Sequence, residues 1–211
     1  MIKWFNQKFS NGIFSGSFAR TVIWCNHYLS INKYWEQVVR NRLQIPDNKK
    51  NPPWVSELYL CASFAIGVVF VTILPSLPQW LARLVAIVAL YRPFEIILFA
   101  LEWIFVGKDP IHSYKRSLAG FIINIAEIVI FFAAVYLGFG FVKASASIST
   151  ALYSSLRTTV TIGPIATVEP PNCWLAGAVI ISQIVISYFL AIVVLAGVVG
   201  ALRKRDVVQK D

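Results

Sequence analysis

Four apolar stretches dominate this chain, and each is long enough to cross a bilayer. They run from about Trp54 to Leu74, Trp80 to Val106, Leu118 to Val142 and Trp174 to Leu202. A spanning helix needs ~20 mostly apolar residues. A water-soluble domain of 211 residues has no interior large enough to hide a chain that is 57% hydrophobic and 14% charged. In hydrocarbon every backbone N–H and C=O must be paired within the protein, which leaves only helices and closed barrels. Long unbroken apolar runs select helices. The chain reads as an all-α membrane protein with four transmembrane helices.

The basic residues divide by side. The 19 Lys and Arg residues fall mostly before the first span, in the loop between spans two and three, and after the last span. Lys33, Arg40, Lys49 and Lys50 lie in the first group, Lys108, Lys115 and Arg116 in the second, and Arg203, Lys204 and Arg205 in the third. With four crossings all three groups share one face. The positive-inside rule makes that face cytoplasmic and puts both termini there. The expected setting is the inner (plasma) membrane. The net charge of +9 therefore serves the membrane, and no nucleic acid is expected, because no groove-reading motif accompanies it. The first residues lack a sustained apolar core, so no cleavable signal peptide is expected.

This divides the chain into an arm (residues 1–53), a two-span hairpin (54–106), a cytoplasmic loop (107–117), a second pair of spans (118–202) and a basic tail (203–211). The arm mixes basic residues with Trp4, Phe5, Trp24, Tyr28, Tyr34 and Trp35. That composition suits the headgroup layer. Ile31 to Leu43 has helical periodicity, with Tyr34, Val38 and Val39 on one side and Lys33 and Arg40 on another. Two readings stand: a helix lying on the lipid bilayer, or a docking surface for a cytoplasmic protein partner. Trp54 and Tyr59 are expected to anchor span one at the interface.

Span two carries Arg92, about 18 Å along a helix from Trp80. An unpaired charge at that depth costs several kcal/mol. Arg92 and Glu95 are three apart and can share a helix face. Glu127 of span three, on one face with Asn124, is a further partner. These three residues are expected to form an intramembrane ion pair that locks two spans together; the other readings are a gating role and a segment that crosses only in part and lies partly at the interface.

Between spans three and four lies A-L-Y-S-S-L-R-T-T-V-T-I-G-P-I-A, residues 151–166. It is a short, Ser/Thr-rich amphipathic helix followed by a tight, irregular segment. Irregular backbone at membrane depth is tolerated only where it is buried in protein or lines a wet cavity. Leu118 to Leu202 resembles the two-helix pore unit of the potassium-channel superfamily. The likeness rests on A-L-Y-S-S-L-R-T-T-V-T-I-G against the family's A-L-Y-F-S-x-x-T-x-T-T-V-G, and on Tyr188-Phe189-Leu190-Ala191. Tyr153, Ser155, Thr158, Thr161 and Gly163 fall in place.

The resemblance implies a re-entrant pore helix and filter loop, a homotetramer, and an ion path lined by the carbonyls of Thr161, Ile162 and Gly163. Monovalent cations, potassium or sodium, would be its ligands; no other cofactor is expected. The chain departs from the family just beyond. Pro164, Ile165 and Ala166 replace its aromatic residue, second glycine and aspartate. Proline fixes φ near −65°, and a β-branched residue resists the angles that glycine supplies. Arg157 reverses a charge behind the filter, where it either pairs with Glu169 or repels cations. Three outcomes remain: a potassium-selective pore, a wider and weakly selective cation pore through Pro164 and Ile165, or a pore closed by Ile162 and Ile165. Gln183 and Ser187 share a face of span four; with Leu190 and Val194 they either line the cavity below the filter or hydrogen-bond a neighbouring helix with no ion contact.

Enzyme chemistry is not expected. His27 and His112 sit in no metal or nucleophile spacing, and no acidic pair is poised for catalysis. Cys25, Cys61 and Cys173 form no redox motif and read as small packing residues. The competing class is a non-conducting membrane interaction protein that uses a channel fold as a scaffold.

Overall fold

The computed structural model describes residues 30–44, 53–106, 114–142, 147–160 and 173–208, together with Thr21, Trp24 and Tyr28. Among these residues it is all-helical, with six α-helices and no strands. We number them α1 (Ile31–Arg42), α2 (Pro53–Ile73), α3 (Gln79–Val106), α4 (Tyr114–Phe139), α5 (Ile148–Thr159) and α6 (Cys173–Val208). Four are long and apolar enough to cross a membrane, over Trp54–Ser76, Gln79–Leu101, Ala119–Phe139 and Trp174–Leu195.

The breaks follow from local chemistry. Ser30 stands at the N-cap of α1 in an extended conformation, and its side chain accepts from the Lys33 N–H. Arg40 and Arg42 occupy the last turn of α1, where cations suit the negative end of the helix dipole. Leu74-Pro75-Ser76 forms a single 3-10 turn after α2, and the Pro78 carbonyl then accepts from the Leu81 and Ala82 N–H groups in the first turn of α3. Gly140 ends α4 at φ 69°. The Phe141 N–H reaches back to the Tyr136 carbonyl (2.9 Å) and the Gly140 N–H to Leu137 (3.1 Å), the closure that a left-handed glycine makes possible.

The helix α4 is the centre of the bundle: α2, α3, α5 and α6 all pack on it, and α3 also touches α6. Six consecutive residues, Phe131 to Tyr136, are all buried. A helix that meets lipid would expose part of each turn, so this stretch is enclosed by protein on every side. The hairpin of α2 and α3 is thus less a pair in itself than two helices joined through α4. Close approach depends on small residues. A Cβ on Gly138 would lie 2.6 Å from both the Ala82 carbonyl oxygen and the Ala86 Cβ. Ala82, Ala86 and Ala89 are buried on the facing side of α3. Such contacts replace the hydrophobic driving force that lipid removes.

The outward faces are apolar. On α2 they include Leu58, Phe64, Ile66 and Val69, and on α6 Ile181, Val185, Tyr188, Ile192 and Leu195. Cys61 is exposed on α2, so it is not the interior packing residue that its type suggested.

Candidate functional site

Two polar clusters lie inside the bundle, one on each side of α4. The first is built around α5. At twelve residues this helix is about 18 Å long, too short for a crossing. It packs against both α4 and α6. Its inward side is polar: Ser154, Ser155 and Thr158 are buried with Ala151. Thr158 returns its hydroxyl to the Ser154 carbonyl (3.0 Å).

Gln183 joins this helix to the spans. Its amide nitrogen has three acceptors in reach of its two N–H groups: the Ser155 carbonyl (2.9 Å), the Ser155 hydroxyl (2.9 Å) and the Thr159 hydroxyl (2.8 Å). Its amide oxygen accepts from the Tyr136 hydroxyl at 2.5 Å. One side chain thereby ties α4, α5 and α6 together. A buried amide left without partners would cost about 1–3 kcal/mol, so the match of donors and acceptors specifies how the three helices sit.

Of the two readings for Gln183, the structure shows the interhelical hydrogen bond and not the cavity wall. The residue is fully enclosed within the chain, because its amide satisfies α5 rather than solvent. Leu190, on the same face, is also buried. Ser187 is part-buried and donates to the Gln183 carbonyl of its own helix (2.8 Å). Arg157 is part-buried in the last turn of α5, with its guanidinium carbon 5.8 Å from the centre of the Tyr153 ring. Thr161, Ile162, Gly163, Pro164, Ile165 and Glu169 lie outside the described residues.

The second cluster brings together the three charges of spans two and three. The Arg92 Nη1 lies 2.7 Å from Glu95 Oε2, and its Nη2 2.7 Å from Glu127 Oε2. The Arg92 Nε also donates to Glu127 Oε2 (3.0 Å). All three residues are buried.

The structure adds partners that the spacing did not suggest. Tyr59 is not simply an interfacial anchor. Its hydroxyl donates to Glu95 Oε2 at 2.5 Å, and its ring lies 4.9 Å under the Arg92 guanidinium. Glu95 Oε1 accepts from the Ser30 hydroxyl and the Asn32 N–H, both at 2.9 Å. The Tyr91 hydroxyl accepts from the Ile31 N–H (3.1 Å). Glu95 therefore caps the N-terminus of α1, where unpaired N–H groups and the helix dipole favour an anion.

One sequence signal pointed there, a serine directly before a periodic helical stretch. No local pattern names the carboxylate 65 residues away that completes the cap. Tyr136 was hidden in an apolar run for the same reason.

Comparison with known protein families, curated proteins and solved structures finds no match to this chain.

Proposed function

We propose that residues 114–208 form one subunit of a tetrameric, channel-like membrane pore that passes cations with weak selectivity. The observation that carries this reading is α5. A twelve-residue helix with a buried polar side is held between two apolar spans and leads directly into Thr161-Ile162-Gly163. Its C-terminal end is the negative pole of its dipole, so a cation near residues 161–163 is favoured, and Arg157 in the last turn opposes that field. Backbone carbonyls of the T-I-G segment would replace water around the ion. Pro164 and Ile165 argue against the regular upper filter that strong potassium selection needs.

In such an assembly the pathway below the filter and the contacts between copies fall to outward faces. On α6 that face is Ile181, Val185, Tyr188 and Ile192 rather than Gln183. On α5 it is Tyr153, Leu156 and Val160. An apolar pathway of this kind gates by dewetting. The helix α1 lies at the cytoplasmic interface, with Ile31, Tyr34 and Val38 directed outward toward lipid.

Those outward aromatic and apolar residues also support the second reading, a non-conducting protein whose arm meets a cytoplasmic partner. Reversal potentials in planar bilayers, with asymmetric potassium, sodium and chloride, separate the two. A cation current with little potassium preference, abolished by Gly163→Val, is expected. Silence from a verified tetramer would move the reading to a scaffold, and a monomer would end the pore proposal.

A further inference from the structure

One guanidinium serves two carboxylates inside the bundle. Arg92 is within 2.7 Å of both Glu95 and Glu127, so two ionised acids would outweigh it by one charge at membrane depth. The two acids are not equivalent. Glu95 receives donors on both oxygens: Ser30 and Asn32 on Oε1, Tyr59 and Arg92 on Oε2. Four donors are what an ionised carboxylate accepts. Glu127 receives both of its Arg92 bonds on Oε2. Its Oε1 is buried without a hydrogen-bond partner, and the residue is completely enclosed. A bare anionic oxygen in such a place is costly. Ser63, also buried, stands beside this carboxyl group from α2.

We propose that Glu127 is a proton-binding site within the membrane, with the proton carried on Oε1. The cluster then holds one cation and one anion, Arg92 and Glu95. The groups facing Glu127 are Arg92 and Glu95 from α3 and Ser63 from α2. Loss of the proton gives Arg92 two full anions to serve and weakens its hold on Glu95. Glu95 is also the cap of α1, so proton occupancy and the docking of the N-terminal helix are coupled. The proposal goes beyond the pore reading and does not depend on conduction.

Infrared spectroscopy of the full chain in phosphatidylcholine–phosphatidylglycerol vesicles at neutral pH tests it. With glutamate carboxyls carbon-13-labelled, a protonated-acid carbonyl band is expected, since exposed acids are ionised at that pH. It should vanish in Glu127→Gln and persist in Glu36→Gln, whose carboxyl group pairs with Ser56 outside the cluster. Absence of the band in the wild-type chain, or its survival in Glu127→Gln, overturns the proposal. Where Glu127→Gln does not assemble, Glu127→Asp keeps the acid. Loss of the labelled band is then expected, because the new carboxyl carries no label, and an unchanged labelled band overturns the site.

Discussion

The two faces of α4 solve the same problem in different ways. Glu127 and Tyr136 are nine residues apart, so at 100° and 1.5 Å per residue they point about 180° away from each other and are separated by ~14 Å along the axis. Toward α2 and α3, α4 presents an acid held by Arg92. Toward α5 and α6 it presents a phenol held by Gln183. The first cluster is ionic and spans α1 to α4; a buried oxygen lacks a hydrogen-bond partner on each side, Glu127 Oε1 here and Ser154 Oγ on α5. The second is neutral and centred on one amide that uses both its oxygen and its nitrogen. A neutral cluster needs only matched donors and acceptors. An ionic one must also balance charge in a medium that does not screen it. The two should therefore fail differently.

The largest effect is expected from removing the shared cation. Arg92→Leu leaves the Glu95 carboxylate without its cation and Glu127 without its donors, and breaking a buried pair from one side costs about 3–5 kcal/mol. The variant should assemble poorly, with a marked fall in thermal stability in detergent. Arg92→Lys should recover only part of it, since an ammonium cannot reproduce the guanidinium fork. A wild-type melting curve for Arg92→Leu would mean that the ionic cluster does not hold the spans together.

Gln183→Leu attacks the neutral cluster and should cost less, about 1–3 kcal/mol, from the hydroxyls of Tyr136, Ser155 and Thr159 left without their partner. Gln183→Glu sharpens the comparison. It keeps an acceptor for the Tyr136 hydroxyl but sets an oxygen against the Ser155 carbonyl, where the amide now donates at 2.9 Å. It should be at least as damaging as Gln183→Leu. Equal stability of Gln183→Glu and wild type would show that the amide orientation drawn from these contacts is wrong.

How much of this was legible in the sequence differs between the two faces. The four spans and α1 follow from apolar length and periodicity, properties that each segment carries by itself. The bond of Arg92 to Glu95 is one helix turn and can be read from spacing. Its bond to Glu127 was open to inference, because a mid-span charge must find an opposite one. Gln183 carries a polar signal too, but polarity alone does not say which side of a helix is enclosed. A pore cavity and a neighbouring helix both satisfy it. Only the packing of α5 against α6 decides, and that depends on residues some thirty positions earlier. The cap on α1 lies further out of reach still, since a carboxylate in α3 gives no local sign that it serves a helix 65 residues upstream.

The smallest expected effect separates redundancy from necessity within the ionic cluster. Tyr59→Phe removes the 2.5 Å bond to Glu95 Oε2 yet keeps the ring beneath Arg92. The same oxygen still receives Arg92 Nη1 at 2.7 Å, so no acceptor is orphaned. The loss should be about 1 kcal/mol, well below that of Gln183→Leu, although Tyr59 sits in the charged cluster and Gln183 in the neutral one. A denaturation series of the three variants in one detergent measures the order. If Tyr59→Phe matched Arg92→Leu, the phenol rather than the guanidinium would be holding Glu95, and α1 would be docked through α2 instead of through the ion pair.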